Sequence, residues 1–298
     1  MKKTNDLIGT IKTRAYTPGS AASFGDNYLL DLLNREIQDY IVPRIKMLNK
    51  EFNIVTDVID VAAGQTRIKI PRRSLNSSIR DLQVTDGING ISKMDMIKRE
   101  DVQFFQGRVR VGHYPQKYYL ESNDVVLLPA PEMPVQVMMS YYQRPNTLVS
   151  QSLERTVLGV NKTTGLITLN SFAEFLKTGD RVDFVDGLYT TDTNARDLLV
   201  TAVDVLNNTV TVSGDVSSVE QGDLMYKAGT TCVAQIPDEM ESLLIARVCL
   251  RMAETQNDES AINIARAAIG EMESGFQLLI SQRVVGDSPR IITRTNLW

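Results

Sequence analysis

Residues 157–184 read VLGVNKTTGLITLNSFAEFLKTGDRVDF, and residues 200–227 read VTAVDVLNNTVTVSGDVSSVEQGDLMYK. Laid over one another at a constant offset of 43, they place Val157 on Val200, Val160 on Val203, Asn161 on Asp204, Ile167 on Val210 and Leu169 on Val212. Gly179-Asp180 falls on Gly222-Asp223 without a gap. Each copy reads as strand, polar turn (Lys162-Thr163-Thr164-Gly165 or Leu206-Asn207-Asn208), strand, connector, then a Gly-Asp turn into a third strand. Three strands cannot bury a face alone, so two such units are expected to pair about a pseudo-twofold axis as one small β-barrel or sandwich.

On either side of this module the periodicity is different. From Ser23 to about Leu48, Leu29, Leu33, Ile37, Tyr40 and Ile41 recur at helical spacing, and Pro43 is expected to kink the helix or end it near Ile41. Residues 1–20 hold no sustained period and read as an arm. Phe52–Val61 and Arg67–Ile70 read as the two strands of a hairpin turning at Ala62-Ala63-Gly64-Gln65. Residues 72–107 are poorly periodic. Short strands are expected at Arg108–Val111, Lys117–Leu120 and Val125–Leu128. The clearest is Val135–Tyr142, with Val135, Val137, Met139 and Tyr141 on one face.

Beyond the repeat, Ile236-Pro237-Asp238-Glu239 opens a helix with the stripe Met240, Leu243, Leu244, Val248 and Met252. Asn257-Asp258-Glu259 breaks it and starts a second helix carrying Ala261, Ile264, Ala265, Ala268, Met272, Phe276, Leu279 and Ile280, stopping by Gly286. The short connection makes the pair an antiparallel hairpin. The expected class is α+β: a helical core from the N-terminal helix and the C-terminal hairpin, β-strands between, and an inserted barrel of two pseudo-repeats. The expected divisions are an arm at 1–22, a discontinuous core at 23–150 plus 232–286, a barrel at 151–231 and a docking tail at 287–298.

Composition narrows the function. Over 298 residues, 43% hydrophobic and 23% charged content is that of a globular protein able to bury a sizeable core, and a net charge of −4 argues against general nucleic-acid binding. Cys232 and Cys249 have no metal-ligand spacing. The opening Met-Lys-Lys-Thr-Asn-Asp starts as a signal peptide would, but no apolar segment follows and no long apolar run occurs elsewhere, so a soluble cytosolic chain without membrane association is expected.

Catalytic patterns are missing. His113 is the sole histidine, in Val111-Gly112-His113-Tyr114-Pro115, with no acid or nucleophile at a telling spacing. There is no phosphate-cradling glycine motif and no nucleophile elbow. Asp57 with Asp60 is an ordinary carboxylate pair, and Asp192-x-Asn194 lacks the glycine and glutamate of a calcium loop. No catalytic residue, cofactor or metal site is expected. The basic residues Arg67, Lys69, Arg72 and Arg73 are candidates for phosphate or inter-subunit contact, Arg67 and Lys69 alternating with Ile68 and Ile70 so that one strand face is charged.

The run Tyr118-Tyr119-Leu120-Glu121-Ser122-Asn123-Asp124, then Leu127-Leu128-Pro129-Ala130-Pro131, then Tyr141-Tyr142-Gln143-Arg144-Pro145 resembles a family of tailed-phage virion proteins. Residues 164–169 (Thr-Gly-Leu-Ile-Thr-Leu) and the Ile236-Pro237-Asp238-Glu239 helix opening are similar to the same family, in order over roughly residues 54–285. The resemblance implies a non-enzymatic head-to-tail connector, or adaptor. It would form a homo-oligomeric ring, commonly of about twelve copies, in the virion neck below the portal protein. Tail or nozzle proteins would sit beyond it, and DNA would pass the lumen without sequence reading. Arg290, Ile291, Ile292, Leu297 and Trp298 would suit docking into a neighbouring groove, with Trp298 as anchor. Competing readings are a tail or baseplate protein and, from another class, a carbohydrate-binding module or hydrolase. The few aromatic residues between 153 and 228 disfavour the last.

Overall fold

A computed structural model describes residues 2–14, 24–85, 90–103, 114–172, 174–186 and 195–279. The class is α+β, with several helices and several sheets, one a six-stranded barrel. By compactness the chain divides into two units, 1–52 with 236–298, and 53–235. The strands before residue 150 therefore group with the barrel, whereas the sequence reading had joined residues 23–150 to the helices.

In the helical unit, α1 (Thr4–Arg14) occupies residues expected to be an aperiodic arm. Leu7, Ile8 and Ile11 are buried, a stripe too short to register as a period. Helix α2 (Asp26–Glu36) buries Leu29, Leu32 and Leu33. Ser23, the expected start, lies outside the described residues. The helix does not end at Pro43. It passes through a π turn at Ile37–Ile41 into α3 (Val42–Leu48), which has Pro43 in its first turn. Proline has no N–H and its ring crowds the preceding turn's carbonyl; a turn with wider hydrogen bonding, such as Val42 N–H to Ile37 O, accommodates both.

Helix α4 (Asp238–Gln256) is buried almost all round, including Met240, Leu243, Leu244, Val248 and Met252. It begins with Asp238, Glu239 and Glu241 in its first turn and ends at Asn257 in left-handed conformation, φ 55°. The Asp258 carboxylate then accepts from Ala261 N–H at 3.0 Å, capping α5 (Glu259–Leu279), which packs on α4. Glu36, buried on α2, accepts from Arg247 Nε at 2.9 Å and Arg251 Nε at 2.7 Å, two arginines one turn apart on α4.

The second unit contains two four-stranded sheets. The first runs β1 (Ile54–Val61), β8 (Val135–Gln143), β3 (Ser74–Thr85), β4 (Ile91–Lys93); the second runs β2 (Arg67–Lys69), β7 (Asp124–Leu128), β6 (Lys117–Glu121), β5 (Asp95–Met96). Val135, Val137, Met139 and Tyr141 all face inward as expected, sharing one core with Ile68, Val125, Leu127 and Leu82. The expected β1–β2 hairpin does not form. β1 pairs with β8 and β2 with β7, so the 62–66 connection crosses between sheets, Gly64 N–H donating to Pro131 O. β3 was missed. Its alternation is broken by register shifts between Ser74 and Ile79 and between Ile79 and Asp81, with Asn76 and Ser77 at positive φ. The strand expected at Arg108–Val111 lies outside the described residues.

β9 (Thr147–Leu148) and β16 (Thr230–Thr231) pair in parallel, and between them the chain forms a closed barrel in the order β10 (Arg155–Asn161), β11 (Leu166–Leu169), β14 (Thr209–Ser213), β13 (Leu198–Asp204), β12 (Arg181–Val185), β15 (Leu224–Lys227). The two expected repeats are its halves. Val157 pairs with Leu169 and Val160 with Ile167; Val200 pairs with Val212 and Val203 with Val210. Both pairings carry a bulge at the same place, beside Gly159 and Ala202. Gly179 N–H donates to Val200 O, and its equivalent Gly222 N–H donates to Val157 O, each at 2.9 Å. Asn161 and Asp204 each fold their side chain over the following turn, accepting from residues two and three onward. Exchanging the halves leaves every strand pairing in place, as pseudo-twofold symmetry requires. The core, including Val157, Ile167, Leu169, Val200, Val210, Val212, Phe184 and Met225, is apolar throughout.

Candidate contact surfaces

The chemistry of the β unit lies where the barrel meets the sandwich. Asp183, buried on β12, accepts from Arg73 Nη2 at 2.6 Å, Asp197 N–H at 2.8 Å and Gly229 N–H at 2.9 Å. Asp197 also pairs with Arg73 at 3.0 Å. Next to it, Arg196 pairs with Asp57 on β1 and donates to Gln143 Oε1, while the Tyr141 hydroxyl donates to Asp57 Oδ2 at 3.0 Å. Burial, opposed by Arg196 and assisted by Asp57, pushes the Tyr141 hydroxyl above its ordinary value of 10. These paired charges lock two β-modules together.

A second cluster joins Glu154, Tyr226 and Cys232: the Tyr226 hydroxyl and Cys232 Sγ lie 2.7 Å apart, and Cys232 Sγ donates to Glu154 Oε2 at 2.8 Å. Burial first, then the hydrogen bond to Cys232, raises the Tyr226 hydroxyl. Both cysteines are free. Burial pushes the Cys249 thiol up to about 11, opposed by Arg14, so it is protonated and weakly nucleophilic at neutral pH.

The carboxylate pair singled out in the sequence is structurally engaged: Asp57 with Arg196 and Tyr141, Asp60 with Gln136 Nε2 at 3.0 Å. His113, Asp192 and Asn194 lie outside the described residues, as do Arg290, Ile291, Ile292, Leu297 and Trp298. Among the described residues no group of three or more His, Cys, Asp or Glu side chains could hold a metal, and no helix is long and apolar enough to cross a membrane.

The four basic candidates separate into two kinds. Arg67 pairs with Glu121 at 2.5 Å and Asp124 at 3.6 Å, and Arg73 is the buried strut to Asp183. Lys69 and Arg72 are exposed and line one pocket of about 460 Å³ together with Arg144, Ser74 and Asn123. Sequence reasoning missed those three partners, because only the fold brings them to the end of β2.

The helical unit offers a different surface. α5 carries Ala261, Ile264, Ala265, Ala268 and Met272 along its length, yet only Ile269 and Phe276 are buried among its described side chains, and Ile264 is 49% exposed. Ala261, Ala265, Ala268 and Met272 are half-buried and Ile264 is exposed, so the stripe is only partly covered among the described residues.

No curated protein matches the chain. A family model described as SU10 adaptor protein matches residues 4–161, from the first residue of α1 to the last of β10. That match spans more than half of the sequence, includes the sandwich and the first barrel strand, and assigns the chain to the SU10 adaptor proteins, a phage head-to-tail adaptor family.

Proposed function

We propose that this chain is the ring-forming subunit that joins the portal to the tail in the virion neck and lines the path by which DNA leaves the head. The family is structural and implies a virion component that meets other virion proteins. The observation that carries the ring reading is the half-buried apolar stripe of α5, with Ile264 exposed along it. In a cyclic assembly one face of a subunit docks the opposite face of the next, and the helices α4 and α5, as an antiparallel hairpin, would present that stripe to a neighbour.

In this reading roughly twelve copies close the ring. The barrel of residues 151–231 is a contact module held to its own chain by the Arg73–Asp183 and Arg196–Asp57 pairs. Residues 287–298 dock on the portal, tail or nozzle proteins, with Ile291, Ile292, Leu297 and Trp298 as apolar anchors and Arg290 at the rim. Lys69 and Arg72, flanked by the ion-paired Arg67 and Arg73, lie on the part of the β unit that meets phosphates or a neighbouring subunit. DNA passes without base readout.

Native mass measurement of the purified full-length chain, alone and mixed with the portal protein of the same particle, tests this. A single closed multimer bound to the portal ring is the expected result. A chain that stays monomeric in both conditions contradicts it.

A further inference from the structure

The pocket at the end of β2 has the makings of an anion site. Its walls are Lys69 and Ile70 at the strand end, Pro71 and Arg72 in the following turn, Ser74 at the start of β3, Asn76 and Ser77 in the left-handed bulge, Asn123 and Asp124 in the β6–β7 turn, and Arg144 just beyond β8. Backbone hydrogen bonds fix these segments to one another: Ile70 N–H to Asn123 O at 2.9 Å, Ser74 N–H to Pro71 O at 2.9 Å, and Arg144 N–H to Arg73 O at 2.7 Å. The walls are therefore rigidly placed.

Two observations point to a ligand. Lys69, Arg72 and Arg144 bring three positive charges to one concavity, and none of the three makes an ion pair among the described residues. The single carboxylate in the lining, Asp124, is engaged by Arg67. A protein of net charge −4 has acids to spare, so an uncompensated basic pocket stands out electrostatically. Separately, Ser74 lines the pocket, is only 5% exposed, and its Oγ has no hydrogen-bond partner. A buried hydroxyl left so costs about 1–3 kcal/mol, which an acceptor in the adjoining pocket would remove.

We propose that this pocket binds a phosphate group presented singly, as inorganic phosphate or a phosphomonoester. Three cations, the Ser74 hydroxyl and the Asn76 and Asn123 amides approach from different walls, matching a tetrahedral oxyanion with several acceptor atoms better than a planar carboxylate. The Ser77 hydroxyl donates to Asn123 Oδ1 and leaves the Asn123 amide N–H groups free to face the pocket. The recessed Ser74 favours a free or terminal phosphate over the bridging phosphodiesters of a duplex, which meet a protein along an exposed ridge.

Calorimetric titration of the full-length chain with inorganic phosphate tests this, with duplex DNA lacking terminal phosphates and poly-glutamate in parallel titrations. Saturable phosphate binding is expected, weakened about tenfold or more in the Arg72→Ala/Arg144→Ala double variant and several-fold in Ser74→Ala. It should be unchanged in Arg35→Ala, which removes an exposed charge from the helical unit. Unfolding curves confirm that each variant is folded. Three results would each overturn the proposal: no saturable phosphate binding, binding of duplex or poly-glutamate without phosphate, or phosphate binding equally affected by Arg35→Ala.

Discussion

Asp183 and Tyr226 face each other across the β12–β15 pairing, occupy equivalent positions in the two barrel halves, and are both fully buried. They lie on the local twofold, where symmetry would demand the same residue twice, and the sequence departs from it there. Their strand neighbours Val182, Phe184 and Met225 belong to the barrel core, so Asp183 and Tyr226 point outward, onto the surface that the rest of the β unit covers. The symmetric residues build the barrel, and the asymmetric ones attach it.

Asp183→Ala should therefore destabilise the β unit by about 3–5 kcal/mol, because it removes the buried one of Arg73's two carboxylate partners and leaves two backbone N–H groups without an acceptor. Urea unfolding monitored on the β unit measures it. A loss below about 1 kcal/mol would show the strut to be dispensable.

The repeat predicts unequal tolerance at one pair of equivalent turn positions. Gly165 has φ +67° and a Cβ there would lie 2.2 Å from Val212 O; Asn208, its counterpart, has φ 52° and already carries a side chain. Gly165→Ala should cost at least about 2 kcal/mol, and Asn208→Gly should change stability by less than about 0.5 kcal/mol. Chemical denaturation of the two variants checks the contrast.

Much of this fold is legible in the sequence, and the failures share a cause. The barrel halves, β8 and the α4–α5 break at Asn257 were readable because their information is local: alternation, turn chemistry and caps. β3 was not, since its bulges and the left-handed Asn76 and Ser77 erase the period-two pattern. The expected β1–β2 hairpin fails because adjacency in the chain does not decide pairing here: β1 pairs with β8 and β2 with β7, in different sheets. The helix continues past Pro43 because a π turn, which leaves no compositional trace, absorbs the proline. The Arg73–Asp183 strut and the Lys69–Arg72–Arg144 pocket join residues far apart in sequence, and no spacing rule reaches across them.

Three aspartates in the barrel turns contribute to the acid sensitivity of the β unit. The backbone N–H of Lys177 holds Asp180 below its ordinary 3.8; the side chain and then the backbone N–H of Asn207 lower Asp204, and those of Ser217 lower Asp215. A carboxylate whose folded pKa is depressed stabilises fully above its unfolded value, and that contribution is lost as pH falls through the folded one. The thermal midpoint of the β unit should accordingly be level from about pH 7 to about pH 5 and fall below the ordinary 3.8. Asp204→Asn should flatten that fall. Melting curves across this range test the sign, and stability that rises on acidification would contradict it.

Ile264→Asp separates folding from assembly. Half-exposed on α5, Ile264 contributes little within the single chain, so the variant should change its stability by no more than about 0.5 kcal/mol. Its effect should appear in assembly, as loss of the closed multimer in sedimentation velocity. A variant that assembles as the parent does would move the subunit interface away from this helix.

The most direct test of the adaptor assignment is a cryo-electron microscopy reconstruction of the intact particle. Density is expected at the neck, in contact with the portal, into which the six-stranded barrel and the α4–α5 pair fit in every subunit of a closed ring. Density for this chain confined to the baseplate or fibres, or a particle that lacks it, would contradict the account.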